Sequence, residues 1–303
     1  MPELSHRTSS DLKVPINADE LTVLRTALTG TAVIAGEPGY DEACTIWNAM
    51  IERRPGLVVR AANVADVVSA IHLARERELL LSVRGGGHNI AGNALCEGGL
   101  MLDLSEMNDV VIDAAARTAR VGPGATLAQF DAAAQVHGLA TPLGINSTTG
   151  VAGLTLGGGF GWLTRKHGLT VDNLISVDIV TAGGEQLTAS AAENVDLFWG
   201  VRGGGGNFGV VTAFEYRLQA IGPTIVGGMV VHPFPAARDV LRFYGALLGS
   251  APDALTVAAA IVTGPDGHKA CALACAHAGK GAAKNVAIFS AAAGSNWPAF
   301  ADE

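Results

Sequence analysis

The sequence predicts an α+β protein of two domains, and three observations carry that reading. A chain of 303 residues is long for one domain at about 100–200 residues each. Hydrophobic residues make up 49% of it and charged residues 16%, against roughly 25% charged in ordinary soluble domains, so a large core can be buried and overall disorder is excluded. Helical periodicities also alternate with short apolar or alternating runs along the whole chain, as a mixture of helices and strands requires.

The elements follow in chain order. Asn63, with Asp66 three residues on, is an N-cap followed by an N3 acid, and Val64, Val67, Val68, Ile71 and Ala74 recur at helical spacing, which predicts an amphipathic helix. Residues 79–83 form a short apolar run that predicts a buried strand leading into Arg84 and three glycines. Strands are predicted at 100–104, 110–113 and 118–121. Thr126 and Gln129 form a capping box that opens a helix through Val136, stopped by Gly138. Residues 174–182 and 185–189 flank Gly183-Gly184 as a two-residue hairpin. A short helix at 194–199 and an alternating strand at 210–218 complete the first unit. Pro223 marks the boundary. Beyond it, a strand at 224–231, a helix at 236–248 and a hairpin of 255–262 with 269–276 around Pro265-Asp266-Gly267 make a β-α-β-β start to a second domain.

The composition narrows the function. The net charge is −8, so there is no basic surplus for a nucleic acid partner. Residues 254–264 are a charge-free stretch broken by Thr256 and Thr263, far short of the ~20 apolar residues of a membrane helix. The polar first 13 residues carry no secretory core, which makes the cytoplasm the expected location. Cys44, Cys96, Cys271 and Cys275 are too few for a disulfide framework. Cys271 and Cys275, four apart in an extended run, predict small core residues on one face and no metal site.

Glycine is the most informative residue: 39 of 303, against an average of about 7%. The excess sits in three clusters, at Gly85, Gly86 and Gly87, at Gly150, Gly153, Gly157, Gly158, Gly159 and Gly161, and at Gly203 to Gly206 with Gly209. Such clusters admit close approach and present N–H groups that cradle an anion. Three of them point to one extended, phosphate-bearing cofactor. A dinucleotide fold reading, with Gly204-x-Gly206-x-x-Gly209, lacks the strand, helix and acidic residue that its mechanics need.

Arg84-Gly85-Gly86-Gly87-His88-Asn89 with Gly92, then Gly150-Val151-Ala152-Gly153 through Gly157-Gly158-Gly159-Phe160-Gly161-Trp162, then Asp172-Asn173, then Arg202 through Asn207-Phe208-Gly209, resemble the FAD-linked oxidases of the berberine-bridge-enzyme-like type. Tyr40-Asp41, Trp47-Asn48 and Arg54-Pro55 fit the same pattern. The resemblance, within the vanillyl-alcohol-oxidase superfamily, covers residues 40–223. It implies an N-terminal segment at 1–39, a PCMH-type FAD-binding domain at 40–223 and a partial α+β substrate domain at 224–303.

The resemblance also implies a site. His88 would be bonded covalently to the flavin 8α-methyl carbon, and Arg84, Asn89 and the glycines would surround the cofactor, with Gly209, Val210 and Val211 beside it. A second, cysteinyl link occurs in part of the family. The matching position here is Asn146, so the link should be single, with Asn146, Thr148 and Thr149 as hydrogen-bonding groups. Asp172 and Asn173 read equally well as a turn or as flavin support.

The implied reaction moves a hydride from an alcohol, sugar or amine carbon to FAD, with dioxygen as acceptor. Its base is unassigned, since Tyr40, Tyr216 and Tyr244 have no recognisable catalytic context. Residues 280–303 show none of the family's character, so an incomplete substrate domain with an unpaired sheet edge is expected. The alternative is a remnant that binds flavin without efficient turnover.

Overall fold

The computed structural model describes residues 16–222 and 224–279. The boundary residue Pro223 and the stretch 280–303 lie outside the described residues, as do the first fifteen.

Two large sheets build the first unit, and a two-stranded pair, β7 (Leu139–Ala140) with β11 (Gln219–Ala220), completes it. In the first, β2 (Leu57–Arg60), β4 (Leu100–Asp103) and β3 (Leu81–Arg84) run parallel, and β1 (Thr31–Val33) joins β2 antiparallel in the order β1-β2-β4-β3. Parallel strands are covered on both faces, which is why β4 is buried at every position. On one face Leu57, Val59, Leu100 and Leu102 pack against α1 (Ala18–Ala27) and α3 (Val64–Glu76); on the other Val58 and Met101 meet Tyr40, Ala43 and Leu95. Residues of the segment 1–39 thus contribute a helix and a strand to this core and are not set apart from it.

The cap predicted at Asn63 forms, with its side chain accepting from the Asp66 N–H. Asp66 does not return the bond. Its buried carboxylate accepts from the N–H groups of Thr29, Gly30 and Ala62, each at 2.9 Å. That ties the turn after α1 to the start of α3. The strand predicted at 79–83 is displaced to β3 and is only partly buried, because it is the sheet edge: Leu80 is exposed.

The second sheet is antiparallel, in the order β5 (Val110–Asp113), β6 (Thr118–Val121), β10 (Val210–Arg217), β8 (Leu174–Val180), β9 (Gln186–Ser190). Its inner face carries Ala119, Val121, Val177, Ile179, Phe214 and Tyr216. Its outer face carries Arg120, Ser176, Asp178, Thr188 and Glu215, with an Arg120–Asp178 ion pair. The capping box at Thr126 and Gln129 opens α4 (Leu127–Gln135), and Phe130 of α4 meets Tyr216 edge to face. The hairpin at Gly183-Gly184 has a longer loop than the two residues predicted: Thr181 N–H reaches Glu185 O. Its tip is docked on α3, where Arg75 Nη1 donates to Gly183 O.

A third sheet, β12 (Val226–Pro233), β14 (Lys269–His277) and β13 (Leu255–Thr263), packs one face on α8 (Ala237–Ser250) through Val240, Leu255, Val257, Cys271, Leu273 and Cys275. The two cysteines share that buried face, as their spacing predicts. Among the described residues three hydrogen bonds fasten this second unit to the first: Arg165 Nη2 to Ala251 O, Lys166 Nζ to Ala278 O and Thr256 Oγ1 to Trp162 O. Among the described residues no helix is long and apolar enough to cross a membrane, and no group of His, Cys, Asp and Glu is placed to hold a metal ion.

Candidate flavin site

β3 ends at Arg84 and releases the chain into residues 85–89 at the C-terminal end of a parallel sheet, where α/β folds place their ligands. The N–H groups of Gly85, Gly86, Gly87, His88 and Asn89 find no hydrogen-bond acceptor among the described residues. Gly87 has φ +69°, a conformation that glycine adopts without strain. A Cβ on Gly86 would overlap the main chain of Gly150, and one on Gly150 would overlap that of Gly86. The first two glycine loops therefore meet backbone to backbone.

Gly150 opens α5 (Val151–Leu156) without a side-chain cap; the Val151 N–H donates to Ala125 O, while those of Ala152 and Gly153 have no acceptor among the described residues. The third cluster forms a 3₁₀ turn at Gly205–Phe208 that lies against α5. Gly153 and Gly158 face open space. These unpaired N–H groups around a glycine-lined opening are what a diphosphate needs, and the residues present fit FAD.

His88 stands at the edge of this cradle. Its Nε2 lies 2.9 Å from Thr148 Oγ1 and its Nδ1 3.5 Å from Thr149 Oγ1. Asn146 Oδ1 accepts from both the N–H and the hydroxyl of Thr148. Thus His88, Asn146, Thr148 and Thr149, separated by some sixty positions in the chain, are brought together. Burial pushes the His88 pKa down from the usual imidazole value, which favours the neutral ring.

Other expected site residues have structural tasks. Arg84 lies against Gly87 and donates from Nη1 to Ala43 O at 2.6 Å. Asn89 Oδ1 is spent on Asn93 N–H, and Gly92 sits against Ile51. Gly157 ends α5 as its C-cap. Gly159, Gly161 and Gly209 pack close against Thr170, Leu143 O and Val180 O, so a side chain at any of them would collide with protein. Val210 and Val211 have side chains in the two hydrophobic cores, which leaves only their main chain to reach a ligand. Asp172 accepts from Leu169 N–H, and Asn173 donates to His167 O and Leu169 O, which is the turn reading of that pair.

All three tyrosines are engaged. Tyr40 donates to Pro55 O, Tyr216 shares a buried hydrogen bond with Thr155 and Tyr244 donates to Val257 O. Burial raises the pKa of Tyr40 and Tyr216 far above the usual phenol value. Sequence reasoning gave Trp47 no role at the site. Its indole stacks on His88 with centroids 5.6 Å apart, and the Trp47 backbone N–H donates to Gly87 O. The resemblance included Trp47-Asn48 in its pattern without a task for the indole.

Fold and cradle together define an FAD-binding domain. Residues 55–190 match the FAD binding domain family, so the chain carries this PCMH-type domain, and its homologues are FAD-linked oxidases that include berberine-bridge-enzyme-like proteins and 6-hydroxynicotine oxidase. The chain is 38% identical to (R)-6-hydroxynicotine oxidase of Paenarthrobacter nicotinovorans over 204 residues, 67% of this chain and 44% of that one. It superposes on the crystal structure of 6-hydroxy-D-nicotine oxidase from Arthrobacter nicotinovorans with TM-score 0.81 and 32% identity, over 86% of this chain and 58% of that one. For Physcomitrella patens BBE-like 1 the TM-score is 0.80 and the identity 27%, over 91% and 60% of the two chains. The chain spans somewhat under half the length of the curated relatives it matches.

Proposed function

We propose that the protein is an FAD-dependent oxidase that takes a hydride from an alcohol, sugar or amine carbon, holds its flavin through one covalent bond to His88, and passes the electrons to dioxygen. The observation that carries this reading is His88 beside a cradle of unpaired N–H groups at the meeting point of two glycine loops. FAD would supply the redox chemistry. The chain's residues do the holding. Residues 85–89 and the first turn of α5 would take the diphosphate, Trp47 would keep the His88 ring in place by stacking, and the neutral imidazole would offer a lone pair. Asn146 occupies the position of the second link seen in part of the family and has no thiol, which supports a single bond.

A second reading, flavin binding without efficient turnover, is favoured by the engagement of every tyrosine in the chain. Positioning and general-base help each contribute orders of magnitude to rate. Anaerobic mixing of flavin-loaded protein with alcohols, sugars and amines separates the two. Bleaching at about 1 per second or faster, as ordinary enzymes show, followed by recovery of colour and peroxide on admitting dioxygen, is the expected result for an oxidase. Absence of bleaching across the three classes would leave the second reading.

A further inference from the structure

We propose that Asn146 and Thr148 are positioning residues that hold His88 with its proton on Nε2, leaving Nδ1 as the nitrogen that joins the flavin. The linkage half of this statement rests on the covalent reading above.

The argument starts from a donor whose role is fixed. The backbone N–H of Thr148 can only donate, and it meets Asn146 Oδ1 at 3.0 Å. That orients the amide with its oxygen toward Thr148. The Thr148 hydroxyl reaches the same oxygen at 2.8 Å, and since a carbonyl oxygen only accepts, the hydroxyl must spend its single proton there. What Thr148 Oγ1 has left for His88 Nε2, at 2.9 Å, is a lone pair. Nε2 therefore carries the proton, and in a neutral ring Nδ1 does not. The Thr149 hydroxyl, 3.5 Å from Nδ1, is free to donate toward it. Trp47 supports the ring from its face.

The attachment this favours is balanced. A bond forms between Nδ1 and the flavin methyl carbon, that carbon gives up one hydrogen, the imidazole gives up its Nε2 proton, and dioxygen takes two electrons and two protons to become hydrogen peroxide. With the proton on Nδ1 instead, the attacking nitrogen would have no lone pair in the ring plane.

The test uses the full chain as apoprotein, prepared under riboflavin limitation and labelled with ¹⁵N-histidine, with His88 assigned by loss of its signals in His88→Gln. Above the imidazole titration range, the wild type should show Nε2 as an N–H nitrogen and Nδ1 as an unprotonated one. Thr148→Val and Asn146→Ala should shift both signals toward the tautomer average, and Thr148→Ser should restore them. At saturating FAD, the rate at which flavin becomes acid-stable should fall roughly 2- to 10-fold in the first two variants, the worth of one neutral hydrogen bond, and recover in Thr148→Ser. A proton on Nδ1 in the wild type, or a tautomer that neither variant moves, would overturn the relay. Complete release of wild-type flavin by acid, with Nε2 protonated as assigned, would instead overturn the covalent reading and leave the relay standing.

Discussion

Gly86 and Gly150 pass so close that neither has room for a methyl group, and the five N–H groups of the loop they pin have no acceptor among the described residues. Gly86→Val should therefore lower bound flavin, measured by absorbance per folded molecule, more than it lowers the folded fraction measured by circular dichroism. Equal loss of both would mean that the glycines serve packing alone. His167 makes a different prediction. Its Nε2 is buried without a partner among the described residues, and burial, then the charge of Lys166, lowers its pKa. The unfolded chain then takes up this proton first, so its contribution to stability is intact above the ordinary imidazole pKa of about 6.5 and is lost progressively as pH falls from there through the lower folded pKa. Urea midpoints of the wild type should drop between about pH 7.5 and 5.5, and the drop should be smaller in His167→Gln. Identical drops would refute the assignment.

Among the elements, local signals were legible where they were closed within a few residues. The capping box of Thr126 with Gln129 and the cap at Asn63 formed as predicted, because each involves groups three positions apart. The signals that depend on distant partners were not. The Asp66 carboxylate left its own helix for N–H groups more than thirty positions away; β3 lost burial by falling at a sheet edge; the loop at Gly183 lengthened because its tip sits on α3. Asp66→Ala would strand three N–H donors at once, each bond to a charged acceptor contributing about 1.5–3 kcal/mol, so a loss of at least about 3 kcal/mol is expected. Urea unfolding with an unchanged m-value would measure it. A loss under about 1 kcal/mol would show that water replaces the carboxylate at this joint.

At the scale of the molecule, the close approaches at Gly86, Gly150, Gly161 and Gly209 were legible because backbone packed against backbone excludes side chains, a constraint written directly in composition. The meeting of His88 with Asn146, Thr148 and Trp47 was not, since two sheets and the turn of residues 143–150 bring those segments together. Nor was the use of Arg84 to hold Ala43, or the engagement of all three tyrosines in the core. The fastening of the third sheet by Arg165 and Lys166 likewise appears only in three dimensions, where both side chains reach main-chain carbonyls of the second unit. The central claim is that these loops make one flavin site with one covalent anchor. The most direct measurement is peptide mass spectrometry of acid-denatured, flavin-loaded protein. The account predicts flavin mass on the single peptide that contains His88 and its disappearance in His88→Ala. Flavin released quantitatively by acid, or found on any other residue, would contradict it.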